Sequence, residues 1–425
     1  MRRVACCLLL VLSSWGAVGA AAQDESPEAL FRAVEGYPAE QRAEMRAQGK
    51  IPDRDDMENI ERAQKELASR SAAKLASRTD LKGMDLFYLG ALFNYAEKKK
   101  EALDAMRRFL ADKEAAQGSA AQVARNVVVV YGAQGKMLEE AEAARAAYLA
   151  NEPKTPGQLL RNEFELGLAY LKAKQYERAV ERAAEAFKMA KELGPREPRR
   201  EQQIFNAGEL LAEAYSGLKK KEESLATVVD LFQLALDLPS ANLYRMTVSR
   251  FPDKADDAER AIVTRAPERR AAPPELKVAD WLGDEPVKLE ELRGRVVLID
   301  FWYEWCGPCL RAFPTLRDWH KKYNEKGFTV IGLTDLRGTL GGTGKTREEK
   351  LEFLRRFRQG NKLTYPIAVA ESGSDNLSRY GVSAFPTAVL IDRRGAVRFI
   401  SIGVSPTEMS RLGDMVDKLV KEPAQ

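Results

Sequence analysis

The chain has 425 residues, more than one ordinary domain holds, so two or three domains are expected. It is 45% hydrophobic and 31% charged, the composition of a soluble, helix-rich protein. The 67 basic residues nearly balance the 63 acidic ones, and no arginine patch interleaves with aromatics, which sets nucleic acid aside as a partner.

The first element is an expected export signal over 1–22. Arg2 and Arg3 precede a mostly apolar run, Val4 to Val18, and Ala20-Ala21-Ala22 offers small residues for cleavage before Gln23. The run is shorter than the roughly 20 residues of a membrane span, and an uncleaved anchor is the alternative. Lipid attachment at Cys6 or Cys7 is set aside because both precede the apolar run. The chain is therefore expected to be exported, periplasmic or extracellular. Only four cysteines occur. Once Cys6 and Cys7 leave with the signal, Cys306 and Cys309 remain. A single close pair is too little to staple a fold of this length and reads as a redox pair.

Residues 23–240 are rich in Ala, Glu, Lys, Arg and Leu, which favours helix. Apolar residues recur at helical spacing, as in Leu166, Leu168, Tyr170, Leu171, Ala179, Ala183 and Phe187. Segment 23–80 is expected to be helical without a motif. In 81–240 a weak repeat is visible. Leu89-Gly90, Val127-Val128, Leu166-Gly167 and Leu211-Ala212 each precede an aromatic, Phe93, Tyr131, Tyr170 and Tyr215. A polar turn and a second amphipathic helix follow. The copy Leu166-Gly167…Tyr170…Tyr176…Ala179…Ala186 resembles the tetratricopeptide repeat. The spacings of 38, 39 and 45 residues exceed the usual length of about 34. An irregular all-α domain is the other reading.

Helix signals fade after 240. Residues 241–274 are expected to be a linker, basic and proline-containing around Ala266-Pro267 and Ala271-Ala272-Pro273-Pro274. From 275 to 425 strands and helices alternate. The sequence predicts strands over 296–302, 328–333, 387–391 and 397–402, the last two joined by a turn at Asp392-Arg393-Arg394-Gly395. It predicts helices over 307–325, 348–357 and 406–420. This order implies an α/β sheet with helices on both faces.

Trp305-Cys306-Gly307-Pro308-Cys309 follows the first of these strands and opens a helix. The three-residue spacing puts both sulfurs in the first helical turn, within reach of a disulfide. Pro308 is tolerated there because its missing N–H would have no helical partner. Cys306 faces the free N–H groups and the positive end of the helix dipole, which favour its thiolate, the attacking form.

Around this motif the segment from Val297 to Cys309 resembles the active-site segment of thioredoxin. Asp300 stands where that family keeps a buried carboxylate, Pro314 where a proline kinks the helix, and Phe385-Pro386-Thr387 where it places a cis-proline facing the cysteines. The lead-in from Asp284 to Gly294, and an insertion before Pro386, resemble the exported TlpA/ResA-type branch. The expected architecture is thus an N-terminal all-α region of tetratricopeptide-like hairpins and a C-terminal α/β thioredoxin fold. The resemblance implies that Cys306 attacks a substrate disulfide, that Cys309 resolves the mixed disulfide, and that Asp300 takes the proton from Cys309. It also implies that Trp305, Gly307, Pro308, Phe385 and Pro386 form the docking surface.

The alternatives are plain. A zinc site would need two further ligands, and His320, the only histidine, is expected on a solvated helix face. A structural disulfide across so short a loop would stabilise little. Asp300 could be merely structural, and Pro386 trans. Gly341-Gly342-Thr343-Gly344-Lys345-Thr346 has Thr339 where a phosphate-binding loop needs glycine. Ile299 and Tyr303 occupy positions where a peroxiredoxin needs proline and threonine or serine. No cofactor beyond the Cys306–Cys309 disulfide is expected. The expected partners are protein disulfide or dithiol clients, an electron donor the sequence does not name, and a protein held by the helical region. The expected function is that of an extracytoplasmic thiol–disulfide oxidoreductase that reduces protein disulfides through the Cys-Gly-Pro-Cys dithiol, with the helical region recruiting clients or partners. The alternative is an interaction or scaffold protein with a secondary redox domain.

Overall fold

A computed structural model describes residues 26–195, 197, 199–249, 272–283, 286–337 and 345–423. The expected signal over 1–22, with Cys6 and Cys7, lies outside the described residues. So do 250–271 of the expected linker, Asp284 and Glu285 of the lead-in, and the glycines at 341, 342 and 344. No described helix is long and apolar enough to cross a membrane. The chain divides into two compact units, one up to Leu166 and one from Gly167.

The first unit is helical: α1 (Pro27–Ala47), α2 (Arg54–Ala76), α3 (Met84–Tyr95), α4 (Lys99–Ala111), α5 (Gly118–Gln134), α6 (Leu138–Leu149) and the start of α7 (Pro156–Lys172). Side chains start the first two helices. Ser26 accepts the Ala29 N–H, and Asp53 and Asp56 form a capping box. The apolar stripes of α1 to α5 meet in one core around Val34, Leu75, Leu92, Met106, Phe109 and Val130.

Four helical pairs turn back in the same way: α3–α4, α5–α6, α7–α8 (Tyr176–Lys191) and α9–α10 (Arg200–Gly217, Lys221–Asp237). Glu97, Lys136, Lys174 and Lys219 sit at the four turns with positive φ, between 56° and 64°. At each turn two N–H groups bond back to the preceding helix. Lys98 N–H reaches Phe93 O and Glu97 N–H reaches Asn94 O; Gln175 N–H reaches Tyr170 O and Lys174 N–H reaches Leu171 O. This is the Schellman closure, with a charged residue where glycine is usual.

In the second unit, α8, α9, α10 and α11 (Ala241–Val248) precede a six-stranded sheet of order β1-β4-β3-β2-β5-β6. Its strands are β1 (Val278–Leu282), β2 (Val296–Phe301), β3 (Phe328–Thr334), β4 (Ile367–Ala370), β5 (Thr387–Ile391) and β6 (Val397–Ile402). β2, β3 and β4 are parallel, while β1, β5 and β6 run antiparallel to their neighbours. The helices α12 (Gly307–Tyr323), α13 (Arg347–Gly360) and α14 (Pro406–Lys421) share one core with Val296, Leu298, Val330, Ile367 and Leu390. Strand alternation puts those five residues on one face, so these three helices gather there. On the opposite face Phe301 packs against Tyr380, ring centroids 5.2 Å apart, after a short helical turn, Asn376–Arg379.

Three expectations change. The expected linker at 241–274 opens with a folded helix, α11, closed at its start by the Ser240 side chain. Strands β1 and β4 were not legible from the sequence. His320 is not on a solvated face: it lies four residues after Leu316 on the buried stripe of α12, is 7% exposed, and sets its Nδ1 3.3 Å from Thr364 Oγ1.

Candidate active site

Strand β2 is buried along its whole length and delivers the chain to the Cys-Gly-Pro-Cys turn. Trp302 continues the strand, its N–H donating to Leu333 O at 3.1 Å. Its indole stacks on Phe357 of α13 at 5.4 Å and meets Phe313 of α12 edge-on at 5.2 Å, which locks the direction in which the chain enters α12. Cys306 is the N-cap of α12, with Gly307 and Pro308 as the first two helical residues, and its Sγ accepts the Cys309 N–H at 3.2 Å. The two sulfurs are bonded, with their Cα atoms 5.3 Å apart. Cys309 is fully buried and Cys306 is 5% exposed, so Cys306 is the more exposed residue of the pair. Pro314 lies inside α12.

Asp300 stands on the face of β2 that carries Leu298 and Trp302, the face covered by α12. Its cross-strand neighbours are Gly332 on β3 and Ala388 on β5, which leave room for a carboxyl group but no polar partner. The side chain is 1% exposed, and Oδ2 has no hydrogen-bond partner among the described residues. Loss of hydration raises its pKa from 3.8 to about 7. A carboxyl in that range can exchange a proton near neutrality.

Outside the disulfide lies an aromatic wall. Trp305 is 53% exposed and stacks on Tyr303 at 5.1 Å, and Phe385 meets Tyr303 edge-on at 4.8 Å. The Phe385–Pro386 peptide bond is cis. Trp305, Gly307, Pro308, Phe385 and Pro386 are thus brought to one end of the sheet with the two cysteines, while Asp300 is buried on β2, the strand that leads into them.

Sequence reading missed the support under this wall. Tyr303 Oη donates to Asp335 Oδ2 at 2.8 Å, and Arg337 Nε donates to the same carboxylate oxygen at 2.8 Å. Burial, and then the Asp335 hydrogen bond and charge, push the Tyr303 phenol up to about 12. The hydroxyl therefore remains a donor and fixes the ring on which Trp305 and Phe385 rest. Glu304, between the two aromatics, is also buried. The alternation Trp302-Tyr303-Glu304-Trp305 gives no signal for this, because the chain has left the regular strand. Asp335 and Arg337 were invisible because they lie 32 and 34 residues downstream of Tyr303.

A family model for Redoxin matches residues 269–417. The thiol-disulfide oxidoreductase ResA of Bacillus thuringiensis (strain Al Hakam) is 31% identical over 124 residues, 29% of this chain and 64% of that protein. The chain thus spans less than two thirds of the length of this relative. ResA of Geobacillus thermodenitrificans is 32% identical over 135 residues, 32% of this chain and 70% of that protein. Protein DipZ of Mycobacterium bovis is 34% identical over 135 residues, 31% of this chain and 18% of that protein. The matched segment holds the strand, the cysteine turn and the Phe385-Pro386 loop just described, and on this agreement of sequence and geometry the chain belongs to the ResA family of thiol–disulfide oxidoreductases.

Proposed function

We propose that this protein is an exported oxidoreductase that reduces disulfides in polypeptide clients through Cys306 and Cys309. The observation that carries the reading is a disulfide at the N-terminus of α12, reached from a strand that holds a buried carboxyl whose pKa stands near neutrality. In the dithiol form, the Cys306 thiolate attacks one sulfur of a client disulfide. The client S–S bond breaks, a mixed disulfide to Cys306 forms, and the departing client thiolate takes a proton. Asp300 accepts the proton of Cys309, whose thiolate then attacks Cys306. The Cys306–Cys309 bond closes and the second client thiol leaves. The client gains two electrons and the protein loses two, so a dithiol donor must restore the pair.

The dipole of α12 and its free N–H groups favour Cys306 as the attacking thiolate, and its exposure relative to Cys309 agrees. Trp305 and Phe385 form the docking wall for the client. Export rests on the N-terminal pattern of Arg2, Arg3 and the apolar run. The tetratricopeptide-like hairpins serve a client or partner protein, and the domain limits are those read from the sequence, with α11 added to the helical region. Reduction of insulin by the full chain tests the activity. A Cys309→Ser variant that captures no mixed disulfide with insulin, while Cys306→Ser captures one, would reverse the two assignments.

A further inference from the structure

The residues of α11 do more than end the helical region: they grip the redox fold. Ser240 Oγ accepts the Leu243 N–H at 3.1 Å and starts α11. The N–H groups at a helix start have no partner within the helix, and here two of them are spent on one loop. Ala241 N–H donates to Tyr380 O at 2.9 Å and Asn242 N–H donates to Gly381 O at 3.0 Å. The Ser383 hydroxyl donates to Asn242 Oδ1 at 2.5 Å. Gly381 has a φ of +54°, and a Cβ there would lie 2.4 Å from Ser240 Oγ and 3.0 Å from Ser240 Cα. The two backbones touch, and only glycine fits between them.

This grip is continuous with the surrounding core. The Ser240 hydroxyl donates to Glu201 Oε1 of α9 at 3.1 Å. The Tyr244 ring lies 5.2 Å from Phe232 of α10 and 6.1 Å from Phe399 of the edge strand β6. The gripped loop runs directly into Phe385, whose ring abuts Tyr303 beside Trp305. Nearby, the loop's own ties are Val382 N–H to Leu377 O and the Thr387 hydroxyl to Ala384 O.

We infer that α11 is a positioning element for the 380–386 loop, so that the helical region sets how a polypeptide docks beside Cys306. The inference rests on the reading of Cys306–Cys309 as an exchange site. A polypeptide client must lie against Phe385 as well as meet Cys306, and a loop held in place lowers the cost of that alignment. A small disulfide needs only Cys306, so Ser240, Asn242 and Gly381 should affect large clients alone.

The test uses the full chain with insulin and with hydroxyethyl disulfide. Gly381→Ala, which forces α11 off the loop, is expected to raise KM for insulin about tenfold with kcat unchanged, and to leave kcat/KM for hydroxyethyl disulfide within about twofold. Asn242→Ala and Ser383→Ala each remove one exposed hydrogen bond and are expected to raise KM for insulin about threefold to fivefold. The double variant is expected to be no worse than either single one, because both delete the same bond. Amides from 382 to 385 are expected to exchange with solvent faster in each variant. Parental KM values in all variants, additive single effects, or equal losses on both substrates would overturn the inference. Asn242→Ala and Ser383→Ala carry the test if Gly381→Ala does not fold. If the parent reduces neither disulfide, the proposed function itself fails. If the parent is active and the variants are silent, only the role of α11 fails.

Discussion

The helical hairpins and the redox sheet handle left-handed backbone in opposite ways. The four hairpin turns put Glu97, Lys136, Lys174 and Lys219 at positive φ, where a side chain costs roughly 1–2 kcal/mol. From 275 onward, the described positive-φ residues are glycines apart from Lys362: Gly283, Gly294, Gly327, Gly373, Gly381, Gly395 and Gly403. The turn lysines reach into solvent, so their strain is offset by the packed helices on either side. Around the sheet the turns meet other groups. A Cβ on Gly381 would lie 3.0 Å from Ser240 Cα and 3.1 Å from Ala241 N, both backbone atoms. Buried charge divides similarly. In the first unit Glu163 is buried but paired with Arg145 at 2.5 Å, whereas Asp300 of the sheet is buried with one oxygen unpartnered. The hairpins tolerate local misfit, while the sheet keeps a buried carboxyl with an unpartnered oxygen at the site.

Four outcomes would sharpen or break this contrast. The largest effect is expected for Cys306→Ser, which should reduce insulin turnover to the uncatalysed rate. Residual turnover comparable to the parent would show that Cys309 can attack alone.

Asp300→Asn comes next. Loss of a general base is expected to slow release of the mixed disulfide on the order of 10²-fold, measured by single-turnover mixing. The same change should stabilise the fold at neutral pH and above. Between pH 3.8, the ordinary aspartate value, and about 7, the folded protein holds a proton that the unfolded chain has released. The stability this confers is complete below 3.8 and is lost as pH rises through about 7. Asparagine avoids that loss, so the variant's advantage in urea should grow across this window and level off above it. A shift of about three units corresponds to at most about 4 kcal/mol. Equal stability of parent and variant at pH 4 and pH 8 would place the charge in a polar setting.

Removing residues 24–264 separates the two regions outright. Activity on hydroxyethyl disulfide is expected to survive. The kcat/KM for insulin should fall about tenfold, since the fragment lacks the α11 contacts that hold the loop before Phe385. Equal values for fragment and full chain would leave the helical region without a part in docking.

The smallest effect is expected at a hairpin turn. Lys136→Gly relieves a left-handed lysine and should stabilise the first unit by about 1 kcal/mol in thermal or urea unfolding, with insulin turnover unchanged. Destabilisation would mean that the Lys136 side chain contributes more than its backbone strain costs.

Sequence alone was sufficient for whatever is encoded over a few neighbouring residues. The helical stripes follow from a 3.6-residue period, β2 from an unbroken apolar run, and the placing of Cys306 and Cys309 in one helical turn from their spacing. The hairpin repeat was legible through its aromatic positions and its polar turns, but the left-handed backbone at Glu97, Lys136, Lys174 and Lys219 was not, because neither glutamate nor lysine signals it. Strand β4 is only four residues long, too short to show a period. Tertiary structure decided what depends on distant segments. Gly332 and Ala388 face Asp300 with no polar side chain of their own, Asp335 and Arg337 hold Tyr303 beside Trp305, and Thr364 and Tyr365 meet His320. Ser240 and Asn242 meet Gly381 about 140 positions along the chain. Burial and hydrogen bonding between such segments belong to the packed fold, where desolvation and contact are set by which backbones meet rather than by which residues are adjacent.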